Sequence, residues 1–552
     1  MKAFVQLGLA LLSLCLLAAC SGGNGSSSST SSASVGVSSS SIASSFATSS
    51  VAASALLSGV ITYDDVPHKT NNLGLDYNNI QRKPVRGLVI ELLDASGNLI
   101  SSQITNDDGE YEFNSSLNQQ VQLRVKAQLL NNFGAWNVSV RDNTETNSLY
   151  AVQGSLAAIE TVTEVRDLHI SSGWNGVSYS DARSAAPFAI LDSVYIGIQK
   201  LRMSGFSGTL PELHFFWSVK NTSAEGDITL GEIGTSYFSS EGIYLLGDAD
   251  VDTDEYDSHV ILHEWTHYLE NTISRSDSIG GDHDSNQKLD MRLAFSEGLA
   301  NAFSAIILDD AFYKDALGRS QSSGFYINMA EKSHSLRGWY SQASIGSILF
   351  NYHLSADNRT EKSFHDLLAT FTRQDYKIHP GFSSIHLFSE KLQVEAPASF
   401  NTWSVLLAEQ NIFSIGAYGE GETNAGGYSE NLPIYKTLSL SNPNLTLCSS
   451  NRFGSFNRLS NYQFVKIPIS RLGNYRIQVM NAMGSSNTDP DIYLYSSGKL
   501  IQSGLSSLPD LEVMQRLLTS DTYVLTLAEA KVLNDSVGGN ITHCFNLTLS
   551  ME

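Results

Sequence analysis

His263 and His267 stand four positions apart in His263-Glu264-Trp265-Thr266-His267. On a helix, residues at that spacing share one face about a turn apart, so the two imidazoles can hold a single zinc ion. Glu264, beside the first histidine, projects near such a metal and can take a proton from its bound water. With 13 histidines and 56 acidic residues in 552, the pattern arises by chance roughly 0.01–0.02 times per chain. The surrounding residues suit a helix: Val260, Leu262 and Leu269 are apolar, Asp254 is a candidate N-cap, and Asp257 stands three further on. Just upstream, the acidic run Asp248 to Asp254 suggests a calcium loop. However, Thr253 and His259 stand where an EF-hand needs glycine and glutamate, so a solvated turn before the helix is the expectation and Ca2+ is secondary.

The motif resembles that of the zincin metallopeptidases. The metzincin continuation is absent, because Glu270 and Ile273 occupy its glycine and third-histidine positions. Resemblance to the gluzincin, thermolysin-like branch implies a third ligand from a following helix. Leu293 to Asn301 is such a stretch, with Glu297 in its middle, 30 positions after His267 (297 − 267). The same resemblance implies an acceptor one turn beyond the ligand, bonded to a zinc-bound imidazole. Asn301 stands there in place of the usual carboxylate, which lowers the basicity the ligand gains. Asp290, seven before Glu297, is a reserve ligand, and His283 sits on the connection and could line the cleft. A donor for the oxyanion of the tetrahedral intermediate is expected from His334 or Tyr340, with Tyr340 preferred. Gly242 to Leu246 resembles the edge strand along which zincins align peptides.

The rest of the chain must carry and place this centre. Lys2 and the apolar run Phe4 to Leu17 read as a signal segment. It ends at Leu17-Ala18-Ala19-Cys20, which resembles a bacterial lipoprotein signal and implies lipid on Cys20. Ser21, rather than aspartate, follows the cysteine, and this implies a protein anchored in the cell outer membrane. Four cysteines then sort themselves: Cys15 leaves with the signal, Cys20 is lipidated, and Cys448 and Cys544 pair in an oxidising compartment.

The fold class expected is multidomain: an α+β zincin catalytic domain flanked by N-terminal and C-terminal small β-sandwiches. Residues 1–19 form the lipoprotein signal peptide, and 20–56 a Ser-rich flexible linker with too little apolar surface to fold. Residues 57–128 alternate between apolar runs and Asp/Asn/Gly turns, and Val85 to Phe113 resembles a prealbumin-like module. Residues 129–435 hold the catalytic domain, including an apolar helix face through Phe188, Leu191, Val194, Ile198 and Leu201. Residues 436–552 return to strands, and Asp489 to Tyr495 resembles the C-terminal β-sandwich appended to secreted bacterial peptidases.

Net charge of −22 argues against nucleic acid, whose phosphates need a basic surface. The expected activity is zinc-dependent hydrolysis of peptide bonds in extracellular or cell-surface substrates. The alternatives are a zinc hydrolase of another amide bond, in cell-wall peptide or glycan, and an inactive adhesin on a zincin fold.

Overall fold

The computed structural model describes residues 53–552 apart from 132, 356–360, 483–486 and 535–538. The signal segment, Cys20 and nearly all of the Ser-rich stretch lie outside the described residues. The first strand, Ser54–Asp65, turns alternate side chains inward, burying Leu57, Ile61 and Tyr63. It begins inside the expected linker and pairs with Glu110–Ser116 and Gln81–Pro84 antiparallel, and with Thr163–Val165 and Leu168–Ile170 parallel. The Asp94 turn closes a hairpin between Leu88–Asp94 and Leu99–Ile104, with Gly97 N–H donating to Asp94 O. The Asn106 turn, where Gly109 N–H donates to Asn106 O, instead leads from Leu99–Ile104 into Glu110–Ser116 of the first sheet; both glycines are at positive φ.

A ten-stranded sheet shares the core of this first one. Along its main path the order is Tyr237–Ser239, Gly242–Leu245, Leu213–Trp217, Asn137–Asp142, Gln120–Leu130, Leu88–Asp94, Leu99–Ile104. The boundary expected at 128/129 therefore falls inside the strand Gln120–Leu130, which pairs with Leu88–Asp94 on one edge and Asn137–Asp142 on the other. Cutting there would strip ladder hydrogen bonds from two neighbours, so the N-terminal β-structure is continuous with the segment that carries the motif. A strand's neighbour is not written in its own alternation.

Four long helices pack on this framework: α1 (Ala186–Met203), α2 (Ser258–Ile273), α3 (Met291–Leu308) and α4 (Gln342–Ser355). α1 buries the apolar face read from the sequence. Gly197 of α1 lets Trp265 of α2 approach closely, and Gly298 of α3 does the same for Ile345 of α4. α3 is long and apolar enough to cross a membrane, yet it is 94% buried within the fold as a core helix.

From Tyr435 onward the chain builds two further sheets. One has five strands in the order Tyr435–Thr437, Gln463–Ile469, Asp521–Glu529, Pro490–Ser496, Lys499–Gly504. The other has four: Asn444–Ser450, Thr542–Met551, Gly473–Asn481, Leu511–Leu518. Val465, Ile477, Leu494, Leu525 and Leu547 form a separate core for this C-terminal sandwich. Cys448 and Cys544 are cross-strand partners in the four-stranded sheet, and the disulfide is formed. The molecule is thus multidomain and mixed α/β, with several sheets.

Candidate metal centre

Ile261, Leu262, Trp265 and Leu269 are fully buried and seat α2 among α1 and its neighbours. The helix begins at Ser258 with Asp257 in the N-cap position, three residues later than the cap expected at Asp254. Neither carboxylate caps it. Asp257 accepts the Ala316 N–H and faces His68 Nε2 at 2.7 Å, while buried Asp254 accepts the Ser236 hydroxyl. Tertiary partners have outbid the local one.

His263 Nδ1 lies 3.0 Å from Asn301 Oδ1, and His267 Nδ1 lies 2.9 Å from Glu270 Oε2. Both partners are acceptors, so each Nδ1 carries the hydrogen and each Nε2 turns a lone pair onward. Those two Nε2 atoms are only 3.1 Å apart. Glu297, from the middle of α3, brings Oε2 to 3.2 Å from His263 Nε2 and 3.6 Å from His267 Nε2. The ligand atoms of His263, His267 and Glu297 all lie within 4.8 Å of one another. Glu297 Oε2 is buried with no neighbour in hydrogen-bonding geometry. Two converging lone pairs and an orphaned carboxylate oxygen repel one another unless a cation sits among them. The donor set therefore fits a divalent ion held by two imidazoles and one carboxylate.

The electrostatics show how closely these groups interact. Burial alone would raise the Glu297 carboxyl, but His267, His263 and His283 hold it well below the usual carboxylate range. Burial opposes protonation of His267, yet Glu297 and Glu270 together carry its pKa well above the ordinary value. Glu264 is raised by burial and by Glu297, against the pull of the two histidines and of the Phe238 backbone N–H.

Glu270 went unread as a partner, although it stands three after His267 on the same helix. It is almost fully buried, and Ser296 Oγ donates to its Oε2 at 2.6 Å. His283 reaches the centre from the connection: its Nε2 is 3.2 Å from Glu297 Oε2, and its Nδ1 is 2.8 Å from Gln342 Oε1.

Other expected residues lie elsewhere. Tyr340 is buried with its hydroxyl donating to Arg337 O at 3.1 Å and near Asn424 Oδ1, and its ring meets Trp339 and Lys288. None of these contacts is to the His263–His267–Glu297 group; Gly338, at positive φ, leaves room for the ring, since a Cβ there would fall 2.7 Å from Tyr340 Cε1. His334 is half-buried, with burial depressing its pKa. Asp290 is the N-cap of α3 and grips Arg292 with both oxygens at 2.9 Å, so it is committed to helix and ion pair and not to the centre. Gly242–Leu245 is an interior strand. The edge is Tyr237–Ser239, which pairs only with it among the described residues.

The acidic run is not simply a solvated turn. Asp252 and Asp254 meet Asp315 from the strand Phe312–Leu317, with carboxylate oxygens within 4.8 Å of one another. Burial and the neighbouring aspartates push Asp252 up to about 7 and Asp315 up to about 8. Asp248 and Asp250 stay outside this group.

No protein-family model matches the chain, and no curated protein matches it. Three solved structures with a local likeness each cover 21% of it. One is the pre-peptidase C-terminal domain of a collagenase from Bacillus anthracis, at 13% identity, 94% coverage of that chain and a TM-score of 0.16. Another is CorA, a surface-associated copper-binding protein of Methylomicrobium album BG8, at 8% identity, 98% coverage of that chain and a TM-score of 0.17. A third is PliG of Aeromonas hydrophila, a periplasmic inhibitor of g-type lysozyme, at 11% identity, 97% coverage of that chain and a TM-score of 0.14. At these scores the likenesses carry nothing about activity.

Proposed function

We propose that the chain is a zinc-dependent endopeptidase of gluzincin type, exported as a lipoprotein and anchored through Cys20 in the outer membrane. The observation that carries this reading is the meeting of His263 Nε2, His267 Nε2 and the orphaned Glu297 Oε2, with Glu264 next in sequence to the first of them. Zinc, when bound, lowers the pKa of a coordinated water and polarises the carbonyl to be cleaved. His263, His267 and Glu297 are the residues that would hold it, leaving a position open for water or substrate. Asn301 and Glu270 fix the imidazole tautomers by taking the two Nδ1 hydrogens.

Glu264 serves as general base. Burial raises its carboxyl above the ordinary value, a direction that suits a group that must accept a proton from water and return it to the leaving amine. Tyr237–Ser239 is the edge along which an extended peptide would be aligned, and the Phe238 N–H that bears on Glu264 brings that edge beside the base. A protein or peptide bound as an added strand would thus lie against the reacting groups.

The test is metal analysis of the purified chain with casein and peptidoglycan fragments as competing substrates, on the parent and on Glu264→Gln. We expect one zinc per chain in both proteins, cleavage of casein, and turnover at least about a hundredfold lower in the variant. Cleavage by the variant at the parental rate would overturn the mechanism, and cleavage of the cell-wall fragments alone would overturn the substrate class.

A further inference from the structure

The connection from α2 to α3, residues 274–290, carries His283, and its course is held by the C-terminal sandwich. Buried Asn457 donates from Nδ2 to Gly280 O at 2.8 Å and to Asp282 O at 3.1 Å. Arg458 donates from Nη1 to Asp282 O at 2.9 Å. Backbone bonds follow: Leu459 N–H to Lys288 O and Asp290 N–H to Asn457 O, both at 2.9 Å. Gly281 has φ +90°, and a Cβ there would fall 2.4 Å from the Phe456 ring. Gly280 and Asp282 are therefore held by hydrogen bonds on either side of Gly281, just before His283. At the far end of that span, His283 bridges Gln342 at the start of α4 to Glu297 in α3.

We propose that residues 456–459 of the C-terminal sandwich are a positioning clamp for the metal centre, holding the connection so that His283 braces Glu297. His283 is then a positioning residue acting through Glu297. The sandwich is in turn part of the centre's support and not a detachable appendage. A connection of seventeen residues (274 to 290) with no helix or strand of its own has many conformations, and few put an imidazole at one carboxylate. Bonds to Gly280 and Asp282, with Gly281 packed against Phe456 between them, remove most of them. The proposal rests on reading His263, His267 and Glu297 as a metal site, and the experiment separates the two ideas.

Zinc dissociation constants are measured by chelator competition on the full chain, together with the visible spectrum of the cobalt(II)-substituted protein. The proteins are the parent, His283→Ala, His283→Gln, the pair Asn457→Ala/Arg458→Ala, and the triple combination. Outer partners of metal ligands typically carry 10- to 100-fold in affinity. His283→Ala and the clamp pair should each weaken zinc binding about tenfold or more and shift the cobalt band alike. His283→Gln should recover part of the loss, since its amide nitrogen can occupy the same place beside Glu297. The triple variant should be no worse than His283→Ala, because both changes remove the same brace. Gly281→Ala, whose Cβ would press on Phe456 and strain the connection while Asn457 and Arg458 stay intact, is a second route to the clamp phenotype if the pair destabilises the domain.

Parental affinity in His283→Ala overturns the brace. Parental affinity in both the pair and Gly281→Ala, or additive losses in the triple variant, overturns the clamp. A parent that binds neither zinc nor cobalt removes the metal reading, and this inference with it.

Discussion

Gly298→Ala is a one-methyl test of the contact between α3 and α4. A Cβ at this position would lie 2.6 Å from Ile345 Cβ, 2.7 Å from Ile345 Cγ2 and 2.7 Å from the Gln342 carbonyl oxygen. Ordinary carbon contacts need about 3.5–4.0 Å, so the helices must part by about 1 Å. A rotamer change gives no relief, because two of the three atoms are a backbone oxygen and a Cβ. Alanine is a better helix former than glycine by about 1 kcal/mol. Overpacking a tight core typically costs about 1–3 kcal/mol, and rigid neighbours put this site at the upper end. The cost wins, by about 1–2 kcal/mol on these figures. The displacement also reaches the centre, since Glu297 is the adjacent residue and Gln342 anchors His283. Urea unfolding followed by the aromatic signal reads the stability, and chelator competition reads zinc affinity, expected to fall about tenfold or more. A variant as stable as the parent with unchanged metal affinity would refute the close α3–α4 packing and its link to Glu297.

Other expectations follow from the same contacts. Glu297→Ala should lose zinc, whereas Asp290→Ala should keep it but lose about 3–5 kcal/mol of stability by stranding buried Arg292; a metal titration beside a urea melt separates them. Removing both Cys448 and Cys544 should destabilise the C-terminal sandwich by about 4–5 kcal/mol, the loop-closure entropy of the 96-position span, seen as an earlier transition in calorimetry. In chelator, stability should fall as pH rises from 6.5 to 8. Asp252 and Asp315 have folded-state pKa values raised to about 7 and about 8, above the unfolded carboxylate value, so the folded state binds the extra protons and loses that advantage as they leave. His68 and His379, lowered to about 4 by burial, act below this window. The pair Asp252→Asn/Asp315→Asn should flatten the slope, and an unchanged slope would count against their burial.

The amino-acid sequence by itself determined what lies within a helical turn or can be counted. The spacing of His263 and His267 puts two imidazoles on one face, and setting aside Cys15 and Cys20, which the signal reading assigns to the leader and the anchor, leaves Cys448 and Cys544 as the remaining pair. Glu270 was equally legible, three residues beyond His267, but its acidity reads as an ordinary solvated side chain until Ser296 and the burial around it are known. Tertiary structure decided everything that depends on which distant segments meet. The strand Gln120–Leu130 carries no mark that its second neighbour lies past residue 128, because alternation specifies a face and not a partner. Tyr237–Ser239 became the edge strand because it folds back over Gly242–Leu245, and Tyr340 was drawn to Asn424, 84 positions away. His283 stands in a connection with no periodicity to read, and its approach to Glu297 depends on Asn457, 174 positions further on (457 − 283). Helical spacing is imposed by covalent geometry over a few residues. The meeting of Asn457 with Gly280 depends instead on two separately packed cores coming into contact, and no short stretch of sequence encodes that.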